Sequence, residues 1–298
     1  MGSRSAVFAG LSTMDLSYAV DRFPAEDSKT QAADLFLGAG GPAANAAVAY
    51  AFLSGGPAAL VTALGKHPLA ELIRTDLREH GVIARDLTPD GEQQPPVSSI
   101  IVATDAATRT IVSLDGSRIH PEFDESAPAL LDGATVLLLD GHYPEPALRL
   151  AAAARAAGVP VVLDAGRWRP VHAELLPLTA IAICSSAFTP PGVQQDSPES
   201  VFEFLHAVGV GHAAITGGDG PIRYSAPGER GEVAVPPITA IDTLGAGDIL
   251  HGAFCHFHTA GADFPSALRH AAEVATQSCR YLGTREWMRH YRSDQSMR

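Results

Sequence analysis

The sequence predicts an α/β protein with a mainly parallel central sheet flanked by helices, and a separate small β-sheet beside it. Strand-like and helix-like segments alternate regularly from residue 135 onward, which is typical of a parallel sheet covered by helices. Four short extended segments before residue 115 break this rhythm and predict the small sheet. With 298 residues, 46% of them hydrophobic and 18% charged, we expect one globular domain over residues 1–298.

The elements of the N-terminal part follow from apolar runs and from the glycines and polar turns between them. One predicted helix follows a run of glycines, and another stops at Gly81, because glycine is favoured just past a helix end. The predicted strands are 7–11, 16–20, 31–37, 59–63, 98–103 and Thr108–Leu114, and the predicted helices are 40–53 and 69–80.

The later elements follow the alternating pattern. The predicted strands are 135–139, 160–164, Ile181–Ser185 and 213–216, and the predicted helices are 146–157 and 198–208. A glycine-rich turn then precedes a further extended run over 222–225.

The small sheet is expected from residues 15–37 and 97–115. Its first two segments have no helix between them, and a polar turn separates the last two. Short extended segments joined in this way favour an antiparallel sheet outside the alternating part of the fold.

Charge and cysteine content restrict the partners and the compartment. The formal net charge is −12, from 33 acidic and 21 basic residues, which disfavours nucleic acid or an anionic membrane as a main partner. The three cysteines are far apart and odd in number, so we expect no disulfide framework and a reducing, cytoplasmic location.

The segment IDTLGAGDILHGAF (241–254) is the most informative motif. It predicts a turn leading directly into a helix, with Gly245, Ala246 and Gly247 leaving the backbone N–H groups open to a ligand. A helix start of this kind binds anions. Asp248 lies in the first helical turn, where a carboxylate can take a proton from a hydroxyl during phosphoryl transfer.

Two segments carry a resemblance to a known family. DTLGAGD (242–248) resembles the C-terminal signature of the ribokinase/PfkB carbohydrate kinases, and GAGGPAANAAVAYAFLSGG (38–56) is similar to their N-terminal signature. The resemblance implies a ribokinase-like fold in which the small sheet is a lid over the sugar. It also implies a kinase that uses ATP and Mg²⁺, and in some members K⁺, to phosphorylate a primary sugar hydroxyl. Because a small thin sheet cannot bury both of its faces alone, we expect either a homodimer formed through the lid or a lid that stays loose until sugar binds.

The resemblance implies a set of sugar-binding residues: Asp15, Lys29, Gly40, Gly41, Asn45, Arg109 and His142. In this assignment the backbone of Gly40 and Gly41 approaches the sugar, and the side chains of Asn45 and Asp15 bind its hydroxyl groups. Asp248 is the base, and Gly245–Gly247 form the anion hole. The resemblance favours a phosphate contact from the lid for Arg109, which also fits a solvated edge charge. Lys29 also fits a solvated charge, and Asn45 also fits a capping or packing role.

The resemblance also implies nucleotide-side residues: Thr216, Gly218, Gly220, Asp242, Thr243, Ala272 and Gly283. The first three lie in a turn near the phosphates, and the segment 271–283 is expected to line the adenine pocket. Asp242 and Thr243 belong to the part where the family often places a monovalent cation, although an aspartate here also fits an ordinary turn.

The sugar itself is less well defined. The string GGPAA and the position of Lys29 are most similar to sulfofructose kinases and then to ketohexokinases. The positions that correspond to the sulfonate-binding set of those kinases are Lys29, Ser113 and His142, and only the lysine matches, so a plain ketose is the first expectation.

Departures from the family pattern leave two alternatives open. The region CSSAFTPPG (184–192) lacks the Asn-x-x-Glu that helps to organise Mg²⁺, which is compatible with a non-catalytic sugar-binding protein. Three aromatic residues would suit a nucleoside kinase, namely Phe23, Phe36 and Tyr143. Cys255 and the histidines near it predict no protein-held metal, because their side chains cannot converge on one point of a helix.

Overall fold

The computed structural model describes residues 5–114, 116–194 and 197–295. The ends of the predicted domain and residue 115, the predicted end of the lid, lie outside these residues. The strands are β1 (Ser5–Ala9), β2 (Thr13–Val20), β3 (Asp34–Gly40), β4 (Ala58–Thr62), β5 (Val82–Asp86), β6 (Val97–Ala103), β7 (Thr108–Leu114), β8 (Ala134–Leu139), β9 (Val161–Ala165), β10 (Ile181–Ser185), β11 (His212–Gly217), β12 (Gly220–Ala226) and β13 (Glu229–Val233). The α-helices are α1 (Pro42–Ser54), α2 (Pro68–Glu79), α3 (Pro144–Ala156), α4 (His172–Leu175), α5 (Pro198–Ala207), α6 (Ala246–Thr259), α7 (Phe264–Ser278) and α8 (Trp287–Gln295).

The main sheet has the strand order β13-β12-β11-β10-β9-β8-β1-β4-β5 among the described residues. All neighbours from β5 to β11 pair in parallel, and β12 and β13 are antiparallel additions. The predicted parallel sheet is therefore confirmed. The chain order reverses between β1 and β8, and ligands of such sheets bind at the carboxyl ends of the strands beside that point.

Helices cover both faces of the main sheet. Successive residues of β1 belong to opposite cores: Phe8 packs with α1, α2, α6 and α7, whereas Val7 packs with α3 and α5. Both side chains are fully buried. Burial on both faces explains why the parallel strands read as continuous apolar runs.

Helices α1 and α6 pack unusually closely. A Cβ on Gly252 would lie 2.1 Å from the backbone oxygen of Ala46, so only glycine allows this approach. The contact brings the N-terminal halves of the two helices together at the carboxyl edge of the sheet.

The small sheet, called the lid below, has the order β3-β2-β6-β7. The prediction that it is antiparallel is wrong at its centre, because β2 and β6 pair in parallel. After β3 the chain leaves the lid and forms the elements from α1 to β5 in the main part of the molecule. It then re-enters the lid as β6, which runs in the same direction as β2. The outer pairs, β2 with β3 and β6 with β7, are antiparallel as expected.

Among the described residues, five strands and α-helices lie where the sequence predicts none: β5, β13, α4, α7 and α8. Strands β5 and β13 are at the two edges of the main sheet, where exposed positions such as Ile83 weaken the apolar pattern. Helix α8 is polar overall, although its Trp287 is fully buried. Within the described residues, every helix is too short or too polar to cross a membrane.

Candidate active site

Asp248 lies in the first turn of α6 and is held by a side chain from α1. The Nδ2 of Asn45 donates to its Oδ2 over 2.8 Å. Burial, and then the negative charge of Asp164, raise the pKa of Asp248 to about 7, although the bond from Asn45 lowers it. A carboxylate with a pKa near neutrality is suited to accept and release a proton at physiological pH.

The start of α6 forms the predicted anion site. Gly245 precedes the helix with φ of 67°, and among the described residues no side chain caps this end. A Cβ on Gly245 would lie 2.6 Å from Cγ2 of Thr284, in addition to the strained backbone. Ala246 N donates to Thr243 O at 3.3 Å, and Ile249 N donates to Gly245 O at 2.8 Å. The N–H groups of Gly247 and Asp248 between them lie in the first turn, where the helix itself offers no acceptor.

Asp15 of β2 faces the same region from the lid. Thr13 Oγ1 donates to its Oδ1 over 2.6 Å. A Cβ on Gly40 would lie 1.9 Å from its Oδ2, so the glycine makes room for the carboxylate. Burial raises the pKa of Asp15, and the bonds from Thr13 and Ser98 oppose that rise.

Gly41 begins α1 with φ of 96°, and a Cβ there would lie 2.4 Å from Leu11 O. The buried Asp140 at the end of β8 accepts from Leu11 N at 2.8 Å and from Ala43 N at 3.2 Å. Asp140 thus ties the end of β1 to the start of α1 at the strand-order reversal.

Asn45 has both ends of its amide bonded within the protein. Its Nδ2 contacts Asp248, and its Oδ1 accepts from Arg285 Nη1 at 3.0 Å. The predicted contact with sugar hydroxyls stays a prediction, and the structure adds a contact with the base itself.

His142 contacts the edge of this cluster through Asp140, whereas Lys29 lies outside it. His142 Nε2 is 2.6 Å from Arg169 Nη2, and its Nδ1 is 3.2 Å from Asp140 Oδ1. Lys29 is exposed in the segment between β2 and β3.

A cavity of about 720 Å³ lies on the other side of the α6 start. It is bounded by the β11–β12 turn, the segment before α6, and α7. Residues predicted for the nucleotide side line it: Thr216, Gly218, Thr243 and Ala272. The apolar wall near α7 includes Ala275 and Cys279, which suits a flat base.

Arg109 reaches this cavity from the lid. Its Nη1 donates to Thr243 Oγ1, and both residues line the cavity wall. Arg109, which the sequence assignment grouped with the sugar-binding residues and interpreted as a phosphate contact from the lid, therefore lies at the wall of this cavity.

Asp242, Gly220 and Gly283 are not in the cavity wall. The buried Asp242 accepts from Leu244 N and from Gly283 N, both at 2.9 Å, so its carboxylate joins two loops. Gly220 begins β12 and pairs with Gly217.

Sequence reasoning missed several charged residues near the site, namely the buried Asp140, Asp164 and Arg285 and the half-buried Asp76. The two aspartates Asp140 and Asp164 each follow a buried apolar run at the carboxyl end of a strand, a signal that was available. His251 is buried, with Nδ1 2.7 Å from Gly247 O and 3.5 Å from Asp164 Oδ2. Nothing in the local sequence distinguishes Arg285.

Among the described residues, no group of three or more His, Cys, Asp or Glu side chains could hold a metal ion. In the region that lacks Asn-x-x-Glu, the Ser185 hydroxyl donates to Gly166 O at 2.7 Å.

The family model of the pfkB family carbohydrate kinases matches residues 3–290. The chain therefore belongs to the PfkB family and is a sugar kinase, a phosphotransferase. It is 25% identical to the ribokinase of Bacillus subtilis, over 96% of each chain, and 22% identical to the ketohexokinase of Mus musculus, over 95% of this chain and 98% of the other. A solved structure of Arabidopsis thaliana ribokinase complexed with ribose and ATP superposes with a TM-score of 0.77 and 24% identity, over 95% and 94% of the chains. The fold is ribokinase-like, with the small sheet in the position of a lid.

Proposed function

We propose that this protein transfers the γ-phosphoryl group of ATP to a primary hydroxyl group of a neutral sugar. The observation that carries the proposal is Asp248, a carboxylate with a pKa of about 7 in the first turn of an uncapped helix. The base and the anion site at the start of α6 therefore lie within one helical turn of each other. Phosphoryl transfer to a hydroxyl needs both.

In the proposed reaction, Asp248 accepts the proton of the sugar hydroxyl as its oxygen bonds to the γ-phosphorus. The bond from that phosphorus to the ADP oxygen breaks at the same time, and ADP leaves with the electron pair. The N–H groups at the start of α6 stabilise the negative charge on the transferred group. Mg²⁺ would arrive with the nucleotide and neutralise phosphate charge.

A neutral sugar is favoured by the charges around the site. Asp248 feels the negative charges of Asp164 and Asp15, and Asp164 feels that of Asp140. Carboxylates accept hydrogen bonds from hydroxyl groups but repel a phosphate, sulfonate or carboxylate on the substrate. Lys29 is exposed and Arg109 contacts Thr243, so the predicted cations are not gathered at the sugar side.

The type of sugar is the next question. The named ribokinase relatives favour a pentose such as ribose as the first substrate to test, and the ketohexokinase relative supports the ketose expected from the sequence. We place the nucleotide in the 720 Å³ cavity, with the phosphates near Thr216 and Gly218. A monovalent cation such as K⁺ near the loop of Asp242 and Thr243 belongs to the same proposal.

We also propose a homodimer formed through the lid. The lid face that carries Asp15 points toward the site, and the opposite face is apolar and exposed: Leu35 is 48%, Leu37 is 52% and Val112 is 72% exposed. A thin four-stranded sheet has no second layer of its own to cover this face. In a symmetric dimer, the second copy would bring the same face of its lid to the interface.

The nucleoside kinase alternative has little structural support. Tyr143 is buried beside Leu11, Phe36 packs against Gly283, and Phe23 borders a different cavity. The three rings therefore form no common shelf for a base.

The test is ADP release from ATP and Mg²⁺ with ribose, ketoses and nucleosides as acceptors, for the wild type and Asp248→Asn. We expect turnover with a neutral sugar and a loss of about 10²- to 10⁴-fold in the variant, because the amide cannot take the proton. ATP binding, measured by calorimetry, should be retained. Full activity of Asp248→Asn would exclude the proposed base, and the absence of turnover with every sugar would favour the non-catalytic alternative.

A further inference from the structure

A chain of side chains runs from the first-turn aspartate to an open cavity elsewhere on the molecule. Asn45 contacts Asp248, Arg285 contacts Asn45, and Asp76 accepts from Arg285 Nη2 at 2.9 Å. Arg285 is buried, and its Nη1 also donates to Thr284 Oγ1 at 2.8 Å. The second cavity, of about 910 Å³, is lined by Arg285 and Asp76 and holds no part of the proposed nucleotide site.

The guanidinium group determines which way the Asn45 amide faces. Arginine has only donors, so the atom of Asn45 that faces Nη1 must be the carbonyl Oδ1. The NH₂ group must then face Asp248, where it donates to the carboxylate. In the reversed amide, the carbonyl oxygen would face the carboxylate and would favour its protonated form.

Arg285 is itself fixed in place. Its Nη2 donates to Ala39 O at 2.7 Å as well as to Asp76, and Asp76 Oδ2 also accepts from Ala39 N at 3.2 Å. The guanidinium plane is therefore held by two elements, β3 and α2, before it reaches Asn45.

We propose that Arg285 is a positioning residue, which orients the Asn45 amide so that Asp248 is ionised and correctly placed to act as the base. This inference rests on the proposed function, in which Asp248 takes the proton. Arg285 contacts no reacting group itself and acts through Asn45.

Other charged groups face Asp248 and have to be considered in any pH test. Asp164 at the end of β9 and Asp15 on β2 disfavour its ionised form, and His251 on α6 favours it. Around the far end of the chain, His80 Nδ1 lies 3.6 Å from Asp76 Oδ1. The charge of Arg285 also lowers the pKa of Asp15, so Arg285→Met changes one of these groups as well as the amide. A shifted pH profile is therefore interpreted together with the Asn45 amide signal described below.

The first experiment compares kcat/KM against pH for the wild type, Arg285→Met and Arg289→Met. Arg289 lines the same cavity but pairs with Glu286 and is largely exposed, which makes it a matched control. In the pH profile of Arg285→Met, we expect the rise of kcat/KM on the acidic side, the acidic limb, to shift to higher pH by about one unit. With a pKa of about 7 in the wild type, this shift lowers activity about fivefold at pH 7 and leaves it nearly unchanged at pH 9. Arg289→Met should keep the wild-type profile.

A uniform loss of activity at every pH, or an unshifted limb in a folded Arg285→Met protein, would overturn the proposal. The state of Asp248→Asn separates this failure from that of the proposed function. If Asp248→Asn is inactive and the limb of Arg285→Met is unshifted, only the role of Arg285 is wrong. If Asp248→Asn is active, the base itself is wrong.

A second measurement needs no change at Arg285. In nitrogen-15 NMR of the wild type, the side-chain amide of Asn45 should shift as Asp248 titrates, and this shift should vanish in Asp248→Asn. An Asn45 amide signal that ignores the titration would contradict the proposal even if Arg285→Met does not fold. Recovery of Arg285→Ala by added guanidinium ion, which can enter the open cavity, would be a third supporting result.

Discussion

At the scale of single residues, the site depends on opposing influences on one carboxylate. Burial and Asp164 raise the pKa of Asp248, whereas the amide of Asn45 and His251 lower it. Burial and Asp164 have the larger effect, so the pKa of the carboxyl group is about 7 and the group is not fully ionised at neutral pH. A base of this strength accepts a proton in one step and releases it again in the next.

This balance predicts the pH dependence of the reaction. The base works only when it is deprotonated, so kcat/KM should rise as the pH rises through about 7 and should level off above it. The measurement is kcat/KM with saturating ATP between pH 5 and pH 9. A profile that is flat down to pH 5 would mean that Asp248 has an ordinary aspartate pKa.

At the scale of elements, the contact between α1 and α6 sets the geometry of the base. Asn45 lies next to Ala46, and Asp248 lies one turn before Gly252, so the place of closest approach adjoins the bond between the two side chains. The helices cannot separate without breaking that bond.

Gly252→Ala should therefore destabilise the protein and lower activity. Its methyl group would lie 2.1 Å from Ala46 O, and overpacking of this kind typically costs about 1–3 kcal/mol. Chemical denaturation measures the stability, and kcat measures the effect on the site. Gly211→Ala is the control, because its Cβ would meet only Ala180 O at 3.6 Å, and we expect little change there.

The sequence predicted the parallel sheet, most of its helices and the start of α6, because these follow from apolar runs and local glycine patterns. It did not predict β5 and β13, since edge strands have one exposed side and little apolar pattern. It did not predict the parallel pairing of β2 and β6, which depends on the path of the chain between them. The contact between Arg285 and Asp76 was not predicted either, because the two residues are 209 positions apart in the sequence.

At the scale of the whole molecule, the lid carries an exposed apolar face that a partner subunit would bury. Its inner face packs Ile100 and Val102 against Leu244, so these side chains are already buried within one chain. The exposed apolar side chains on the outward face instead are Tyr18, Leu35, Leu37, Val112 and Leu114.

Charge on the outward face should prevent the proposed dimer. Leu37→Lys together with Val112→Lys places like charges where two apolar faces would meet, so we expect a monomer in sedimentation velocity and a dimer for the wild type. Ile83→Lys is the control, since Ile83 is 66% exposed but lies on the edge strand β5 of the main sheet. A wild-type monomer at concentrations well above those of the assay would exclude the lid dimer.

The contact between Arg109 and Thr243 gives the lid a second consequence. Arg109 belongs to β7, the outermost strand of the lid, and Thr243 belongs to the wall of the cavity assigned to the nucleotide. Any movement of the lid on binding sugar therefore also moves a guanidinium group at the nucleotide wall. Thermodynamic linkage makes this relation reciprocal: whatever factor the sugar applies to the affinity for nucleotide, the nucleotide applies to the affinity for sugar. In the proposed reaction, this side chain would therefore couple the binding of one substrate to that of the other.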